Sequence, residues 1–258
     1  MNFSEFPISC YIRTLNEERM IGDVISSAKK ICSEVVIIDS LSIDKTKSIA
    51  LSLGASVYEQ PWLGWGNQKR VGEERTKNNW VLDIDADELV TDELANEIRM
   101  HFKNGEPDCD GFLTPIITVP PFGKPWYNFS RAYRVKLYNK SKIRIPKHKA
   151  WDQFKLDNLN IKKLKNGLLH PSFTGIHMHL DKYNKYSTML ANLPSKKTLL
   201  EIVLRVWLGL PFYFIHKFIF RGMFRAGTYG FALSFSSAIG RWLKDVKQFE
   251  ILMKNRNK

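Results

Sequence analysis

Three acids, Asp85, Asp87 and Glu88, close an apolar run made of Trp80, Val81, Leu82 and Ile84. Carboxylates two residues apart, where a strand gives way to a turn, can converge on one hard cation. Mg2+ or Mn2+ is commonly held in this way, by one or two carboxylates together with phosphate oxygens. Ligands of open α/β sheets bind outside the carboxyl ends of strands, so this is a position for such chemistry. The same residues also fit a solvated turn that caps a helix beginning near Asp92, and an isolated Asp-x-Asp is a weak signal.

The elements that would position these acids are legible by period. Apolar runs at 8–12, 35–38 and 55–58 alternate with helical patterns at 17–31 and 45–53, the first of them capped by Asn16. Strands and helices alternating at this spacing predict βαβ units and a parallel sheet with right-handed crossovers. Thr14, Asp39 and Asp85 then fall at or just after carboxyl ends of strands, gathered along one sheet edge. Between strands, Gly64 and Gly66 punctuate a tryptophan-rich loop that runs into a helix carrying Lys69 and Arg70. Such a loop suits close approach of a ligand and an anion at the helix start, and equally a surface turn with an aromatic staple. There is no GxxxxGK[ST], and no Gly-x-Gly-x-x-Gly follows the first strand, which argues against P-loop and dinucleotide-binding domains.

The 258 residues are 44% hydrophobic and 25% charged, which excludes disordered and collagen-like classes. Charge is unevenly placed: residues 1–130 carry 13 Lys and Arg against 20 Asp and Glu, and residues 131–258 carry 26 against 6. A basic half suits nucleic acid, anionic lipid or a phosphorylated substrate. Cys10, Cys32 and Cys109 are odd in number and widely spaced, which fits a reducing compartment rather than a disulfide framework or zinc site. The short polar segment before the first strand does not read as a signal peptide, so a cytoplasmic protein is expected.

Four stretches in this order and spacing resemble the nucleotide-sugar motifs of family 2 glycosyltransferases, and within that family the lipopolysaccharide-core β-glucosyltransferase branch. They are residues 14–18 (TLNEE), 39–46 (DSLSIDKT), 60–69 (QPWLGWGNQK) and 82–88 (LDIDADE). The resemblance implies a GT-A fold: a Rossmann-like, mostly parallel nucleotide-binding sheet followed by an acceptor-binding half. It implies that Asp39 binds the uracil, that Thr14, Asn16 and Glu17 line the nucleoside pocket, and that Lys69 faces the uracil or diphosphate. Asp85 would meet the ribose and metal, and Asp87 the metal, Mg2+ or Mn2+, that bridges the diphosphate. Leu41 and Lys45 stand where the family usually has glycine, which puts the conformation of that turn in question.

Related enzymes carry a His-Glu pair where Trp151 and Asp152 stand here. An inverting transfer needs a carboxylate to take the acceptor hydroxyl's proton as its oxygen attacks the anomeric carbon, and Asp152 is the candidate base. Lys147, Lys149 and Lys155 around it also fit simple charge balance and would lower its pKa. His170, followed by Lys182, Asn184, Tyr186 and Ser187, again resembles the branch, and it is a candidate for contact with phosphates or acceptor or a structural histidine. Trp126, in the proline-rich loop 115–127, could face an acceptor sugar or wedge the loop onto the core. His177 and His179 lack Asp, Glu or Cys support for a zinc site.

Residues 199–220 are apolar but interrupted by Glu201, Arg205, Pro211, His216 and Lys217, which reads against a spanning helix. Lys217, Arg221 and Arg225 then recur every four residues among aromatics, the composition of an interfacial helix or of helices packed on a partner. The expected organisation is a nucleotide-sugar half over 1–110, an acceptor half over 111–195, and basic amphipathic helices over 196–258 that meet an anionic membrane surface. The expected activity is metal-dependent, inverting transfer of a hexose, glucose from UDP-glucose, to a lipid-linked saccharide of the lipopolysaccharide inner core, at the cytoplasmic face of the inner membrane. Alternatives are a polyprenyl-phosphate glycosyltransferase, a nucleotidyltransferase and a basic nucleic-acid-binding module. The last is disfavoured because no RNP-like or zinc spacing is present, and no nucleic-acid partner is expected.

Overall fold

The computed structural model describes residues 5–129, 131–171, 173–195 and 197–256. The chain divides into two compact units, Met1–Val119 with Arg131–Ser172, and Pro120–Ser130 with Phe173–Lys258. This differs from the expected boundaries at 110 and 195, because the strands after residue 110 join the sheet of the first half and the helix before residue 195 packs with those after it.

In the first unit, β1 (Ile8–Thr14), β2 (Glu34–Asp39), β3 (Ser56–Glu59) and β4 (Trp80–Asp85) are parallel in the order β3-β2-β1-β4. They are connected through α1 (Ile21–Ala28), α2 (Thr46–Ser52) and α3 (Trp65–Arg75). Alternate residues of β1 serve opposite faces, as period 2 requires. Cys10 and Ile12 pack with Ile21, Val24 and Ile25 of α1, whereas Tyr11 packs with Val36, Ile38, Val81 and Tyr138. Gly72 of α3 admits the Tyr11 ring, which a Cβ there would meet at 2.6 Å. Cys10, Cys32 and Cys109 are buried free thiols.

Beyond β4 the sheet turns mixed. β5 (Leu89–Val90) leads into α4 (Asp92–Phe102), which Thr91 caps by accepting from the Leu94 amide. β6 (Gly111–Thr118) and β7 (Arg131–Asn139) are antiparallel, with β7 also antiparallel to β4. β8 (Ile161–Lys163) and β9 (Leu168–His170) pair with β6, and β5 completes the sheet on β9. This last pairing carries His170 into the sheet and brings it back to the chain following β4.

α1 starts five residues after Asn16, the expected cap. Asn16 instead takes a left-handed φ of 54° and its side chain accepts from the Ile43 amide at 2.9 Å. The loop after β1 is thereby bound to the loop after β2, and the Glu17 amide donates to Thr46 Oγ1 at 2.8 Å.

In the second unit, α5 (Ile176–Ala191), α6 (Leu199–Ile215) and α7 (Gly227–Arg256) pack together, with a π-helical turn (His216–Phe220) and a 3-10 turn (Met223–Ala226) between the last two. A Thr198–Glu201 capping box starts α6. Leu199–Phe220, α6 continued by the π-helical turn, is a helical run of 22 residues with a mean hydropathy of 1.5 and little of it buried, so by length and composition it is able to cross a membrane despite its charges. Its outward face exposes Leu200, Leu204, Trp207, Leu208 and Phe212, with Trp207 at 78%.

Candidate active site

The carboxyl ends of β1, β2 and β4 lie side by side, with Thr14 opposite Asp39 and Arg13 opposite Asp85. Asp39 is fully buried and organises its own turn. It accepts from Thr14 Oγ1 at 2.8 Å, from the Ser42 amide at 2.7 Å and from Ser42 Oγ at 2.6 Å. Within that turn Leu41 adopts φ 69°, the left-handed conformation glycine favours, and Lys45 sits at an ordinary φ of −79°. The turn keeps its shape at Leu41 without glycine, and Lys45 needs none.

Asp85, at the end of β4, meets three cations. Arg13 Nε donates to it at 3.0 Å, Lys69 lies 3.7 Å away and Lys136 of β7 3.5 Å away. Burial opposes ionisation, but Lys136, Lys69 and Arg13 together hold the Asp85 carboxyl well below the usual range. Lys69 is 2% exposed and pairs closely with Asp83 at 2.8 Å. Lys136 pairs with buried Glu88 at 2.6 Å, and Glu88 also accepts from the Asp85 amide at 2.9 Å. Burial works against the Lys136 ammonium, yet Asp85 and Glu88 keep it protonated.

Asp152 joins this cluster from a segment without regular structure. It lies 3.3 Å from Lys69 and 3.7 Å from Arg13. Burial raises its pKa, but Lys69, the Gln153 side chain and Arg13 outweigh that and hold it below the ordinary value. The neighbours that depress it are Lys69 and Arg13, rather than the flanking lysines of its own segment. The glycines of the tryptophan loop hold that segment in place. The Trp65 amide donates to the Lys149 carbonyl at 2.8 Å and the Gly66 amide to the His148 carbonyl at 3.0 Å. A Cβ at Gly66 would stand 2.3 Å from the Pro146 carbonyl oxygen and 2.4 Å from that of Trp151. The glycines thus admit the chain that carries Asp152, and two amides at the start of α3, expected to be free for an anion, are taken by it. Glu73, fully buried, secures the same segment: it accepts from Tyr138 at 2.8 Å and from the Ile145 amide at 3.0 Å, and pairs with Arg144.

Asp87 and His170 form a separate pair. His170 Nε2 lies 3.2 Å from Asp87 Oδ2, and both side chains are partly open, at 26% and 22%. Burial disfavours the imidazolium, but the hydrogen bond and charge of Asp87, with Glu88 and Asp85 behind it, raise the His170 pKa. Among the described residues no group of three or more His, Cys, Asp or Glu is arranged to hold a metal. A carboxylate and an imidazole at this distance fit a divalent cation such as Mn2+ that takes its other ligands from a diphosphate, with the imidazole in its neutral form. Asp85 is the poorer donor, with three cations already on it.

Thr14, Asn16, Glu17 and Asp39 therefore gather at one edge, Lys69, Asp85 and Asp152 in one cluster, and Asp87 with His170 beside Glu88. Trp126 belongs to the second unit, where it stacks on Phe129 at 5.3 Å among Phe173, Met223 and Leu233. Sequence reasoning missed Arg13 and Lys136, and gave Glu88 no role beyond its place among the strand-end acids. Arg13 directly follows the apolar residues 8–12 within β1, a signal available in the sequence. Its guanidinium lies 4.6 Å from the Trp65 ring centroid, and its Nη1 is buried with no hydrogen-bond partner among the described residues.

The family model for glycosyl transferase family 2 matches residues 9–182. A glycosyltransferase of Rickettsia typhi is 33% identical over 97% of this chain and 89% of its own length. The lipopolysaccharide core biosynthesis glycosyltransferase LpsC of Rhizobium meliloti is 26% identical over 95% of this chain and 93% of its own. Among solved structures, the Staphylococcus aureus TarS 1–349 fragment in complex with UDP-GlcNAc aligns with a TM-score of 0.52 at 16% identity, covering 96% of this chain and 92% of that one. A mycobacterial protein aligns at a TM-score of 0.50 and 16% identity, over 73% and 75%. The chain belongs to glycosyl transferase family 2 and has the GT-A fold.

Proposed function

We propose that this glycosyltransferase moves a hexose, glucose from UDP-glucose, with inversion onto an inner-core sugar of lipopolysaccharide. The observation that carries the reading is the convergence of Asp152 on Lys69 and Arg13, the cations that also hold Asp85 at the end of β4. The core-biosynthesis role in the name of the Rhizobium relative supports the acceptor class.

The loops after β1 and β2, bound through Asn16, Ser42 and Thr46, form the nucleoside edge, with Asp39 fixing its shape and Glu17 beside it. Asp87 and His170 would hold a divalent cation, Mg2+ or Mn2+, which when bound neutralises charge on the leaving diphosphate. The acceptor hydroxyl attacks the anomeric carbon, the bond to the donor phosphate oxygen breaks, and Asp152 takes the proton. Asp152 is a weak base by its depressed pKa and is ionised throughout the neutral range. The hydroxyl becomes acidic as its oxygen bonds to carbon, so proton transfer follows the forming bond.

The second unit places the enzyme on an anionic membrane face. α6 is tied along one side to α7, where Trp242 donates to the Val206 carbonyl at 2.8 Å and Tyr213 to Asp245 at 2.6 Å. The partner helix carries Arg241, Lys244, Asp245, Lys247 and Lys254 and resists entry into hydrocarbon. Only the outward face of α6 is then suited to the bilayer, which favours an interfacial helix over a spanning one.

A thermal-shift panel of UDP-, GDP- and CDP-sugars with and without Mn2+ tests the donor and cation. Stabilisation by UDP-glucose that grows with Mn2+ is expected, and no stabilisation by any nucleotide sugar would overturn the reading.

A further inference from the structure

The second unit contains a pocket that holds several charged side chains and has no assigned part in the transfer step. It measures about 320 Å3 and lies where α5, α6 and α7 meet, lined among others by Tyr183, Tyr186, Arg205, Arg241 and Lys244. Gly240 allows α5 and α7 to close on each other there, since a Cβ would stand 2.5 Å from the Tyr183 ring.

Positive charge in this pocket exceeds what the protein neutralises. Asp245 is its one acid, 2% exposed, and it is already engaged, accepting from Tyr213 at 2.6 Å and pairing with Lys197 at 3.3 Å. Arg205 donates to the Tyr213 hydroxyl at 3.1 Å, and Arg241 lies over the Tyr213 ring at 4.8 Å. Among the described residues no ion pair joins Arg205, Arg241 or Lys244 to a carboxylate. Burial first, then Lys197, with Arg205 and Arg241 adding and Asp245 opposing, holds Lys244 below its ordinary pKa. Arg205, Arg241 and Lys244 thus outnumber the nearby acids: Asp245 is already shared with Lys197 and Tyr213, and Glu201, at the exposed start of α6, is too far to pair. Such an excess of positive charge is a site for an anion.

The neighbouring surface says what kind of anion. A second depression of about 290 Å3 shares Arg205 and Tyr213 with the first and is otherwise lined by Leu204, Leu208, Gly209 and Phe212. Leu204, Leu208 and Phe212 are 51%, 63% and 65% exposed. A free phosphate would leave this groove unfilled, whereas a lipid supplies both parts.

We propose that the pocket binds the headgroup phosphate of an anionic membrane lipid between Arg205, Arg241 and Lys244, with an acyl chain along the groove lined by Leu204, Leu208 and Phe212. This rests on the reading that the outward face of α6 meets a membrane. It makes the contact a built lipid site rather than diffuse attraction, and it fixes how the helices lie on the bilayer.

Flotation of the full chain on phosphatidylcholine vesicles, with and without phosphatidylglycerol, tests it. Wild type should float with phosphatidylglycerol present. Arg241→Gln should weaken that binding by about tenfold or more, and Lys254→Gln, the same charge removed at the far end of α7, by no more than the roughly fivefold that diffuse surface charge supplies. Short-chain phosphatidylglycerol should raise the melting temperature of wild type, and inorganic phosphate should not. Equal losses in the two variants, or equal stabilisation by inorganic phosphate, would overturn the lipid pocket while leaving membrane association standing. Absence of vesicle binding by wild type would overturn the membrane reading and the pocket with it.

Discussion

Asp152 lies 3.3 Å from the Lys69 ammonium, which Asp83 holds from the other side at 2.8 Å. Lys69 and Asp83 are 2% and 3% exposed, so neither has solvent to fall back on. Removing one member of such a pair leaves an uncompensated buried charge, at a cost of about 3–5 kcal/mol. Lys69→Met is therefore expected to lower stability by that amount in urea unfolding. Adding Asp83→Asn should recover part of the loss, because the stranded charge is then gone. A double variant no more stable than Lys69→Met would show that the pair does not act as a unit.

Gly66→Ala tests how Asp152 is positioned. The added methyl would collide with the Pro146 and Trp151 carbonyls and push the segment away from α3. Displacing a catalytic group by about 1 Å can cost on the order of a hundredfold in rate. A fall in kcat of about tenfold to a hundredfold is expected, with UDP affinity nearly unchanged. Loss of UDP binding with kcat intact would place the effect at the donor edge.

Leu41→Gly should act in the opposite direction to most glycine substitutions. Leu41 is 49% exposed and its φ of 69° is strained for a side chain with a Cβ. Relief of about 1–2 kcal/mol offsets the roughly 0.5–1 kcal/mol that glycine usually loses in entropy. Thermal unfolding should show no destabilisation, and up to about 1.5 kcal/mol gained.

In the second unit, His179 sets an acid limit on stability. Burial, then Lys217 and Lys182, lower its pKa from 6.5 to about 4, and Ser236 Oγ lies 2.8 Å from its Nδ1. The folded state prefers neutral imidazole, so this contribution is complete above the unfolded value of 6.5 and is lost as pH falls toward about 4. The difference in melting temperature between wild type and His179→Gln should shrink across that window. A constant difference from pH 7 to pH 4 would contradict it.

The parallel half of the sheet was legible because its strands are short apolar runs separated by helical periods, and Thr14, Asp39 and Asp85 fall at their ends wherever the exact boundaries lie. The partners of Asp85 were not. Arg13 and Lys136 are 72 and 51 residues away in sequence, and only the pairing of β4 with β1 and β7 brings them together. β5 and β9, of two and three residues, are too short to show a period, so the contact of His170 with Asp87 had no signature beyond family resemblance. The glycines at 64 and 66 announced a close approach, but a neighbouring chain segment and a ligand ask the same of a glycine.

The most direct test of the account is the rate of UDP release from UDP-glucose by Asp152→Asn, with Mn2+ and truncated lipopolysaccharide as acceptor. General-base catalysis is worth about 10²–10⁴-fold, so kcat should fall by that factor while UDP affinity stays close to wild type and the melting temperature falls only by the loss of the ion pairs with Lys69 and Arg13. The wild-type rate should show no acid limb from this group down to about pH 5, because its carboxyl titrates below the ordinary value. Undiminished turnover by Asp152→Asn would contradict the account and favour an acceptor that needs no deprotonation, such as a lipid phosphate.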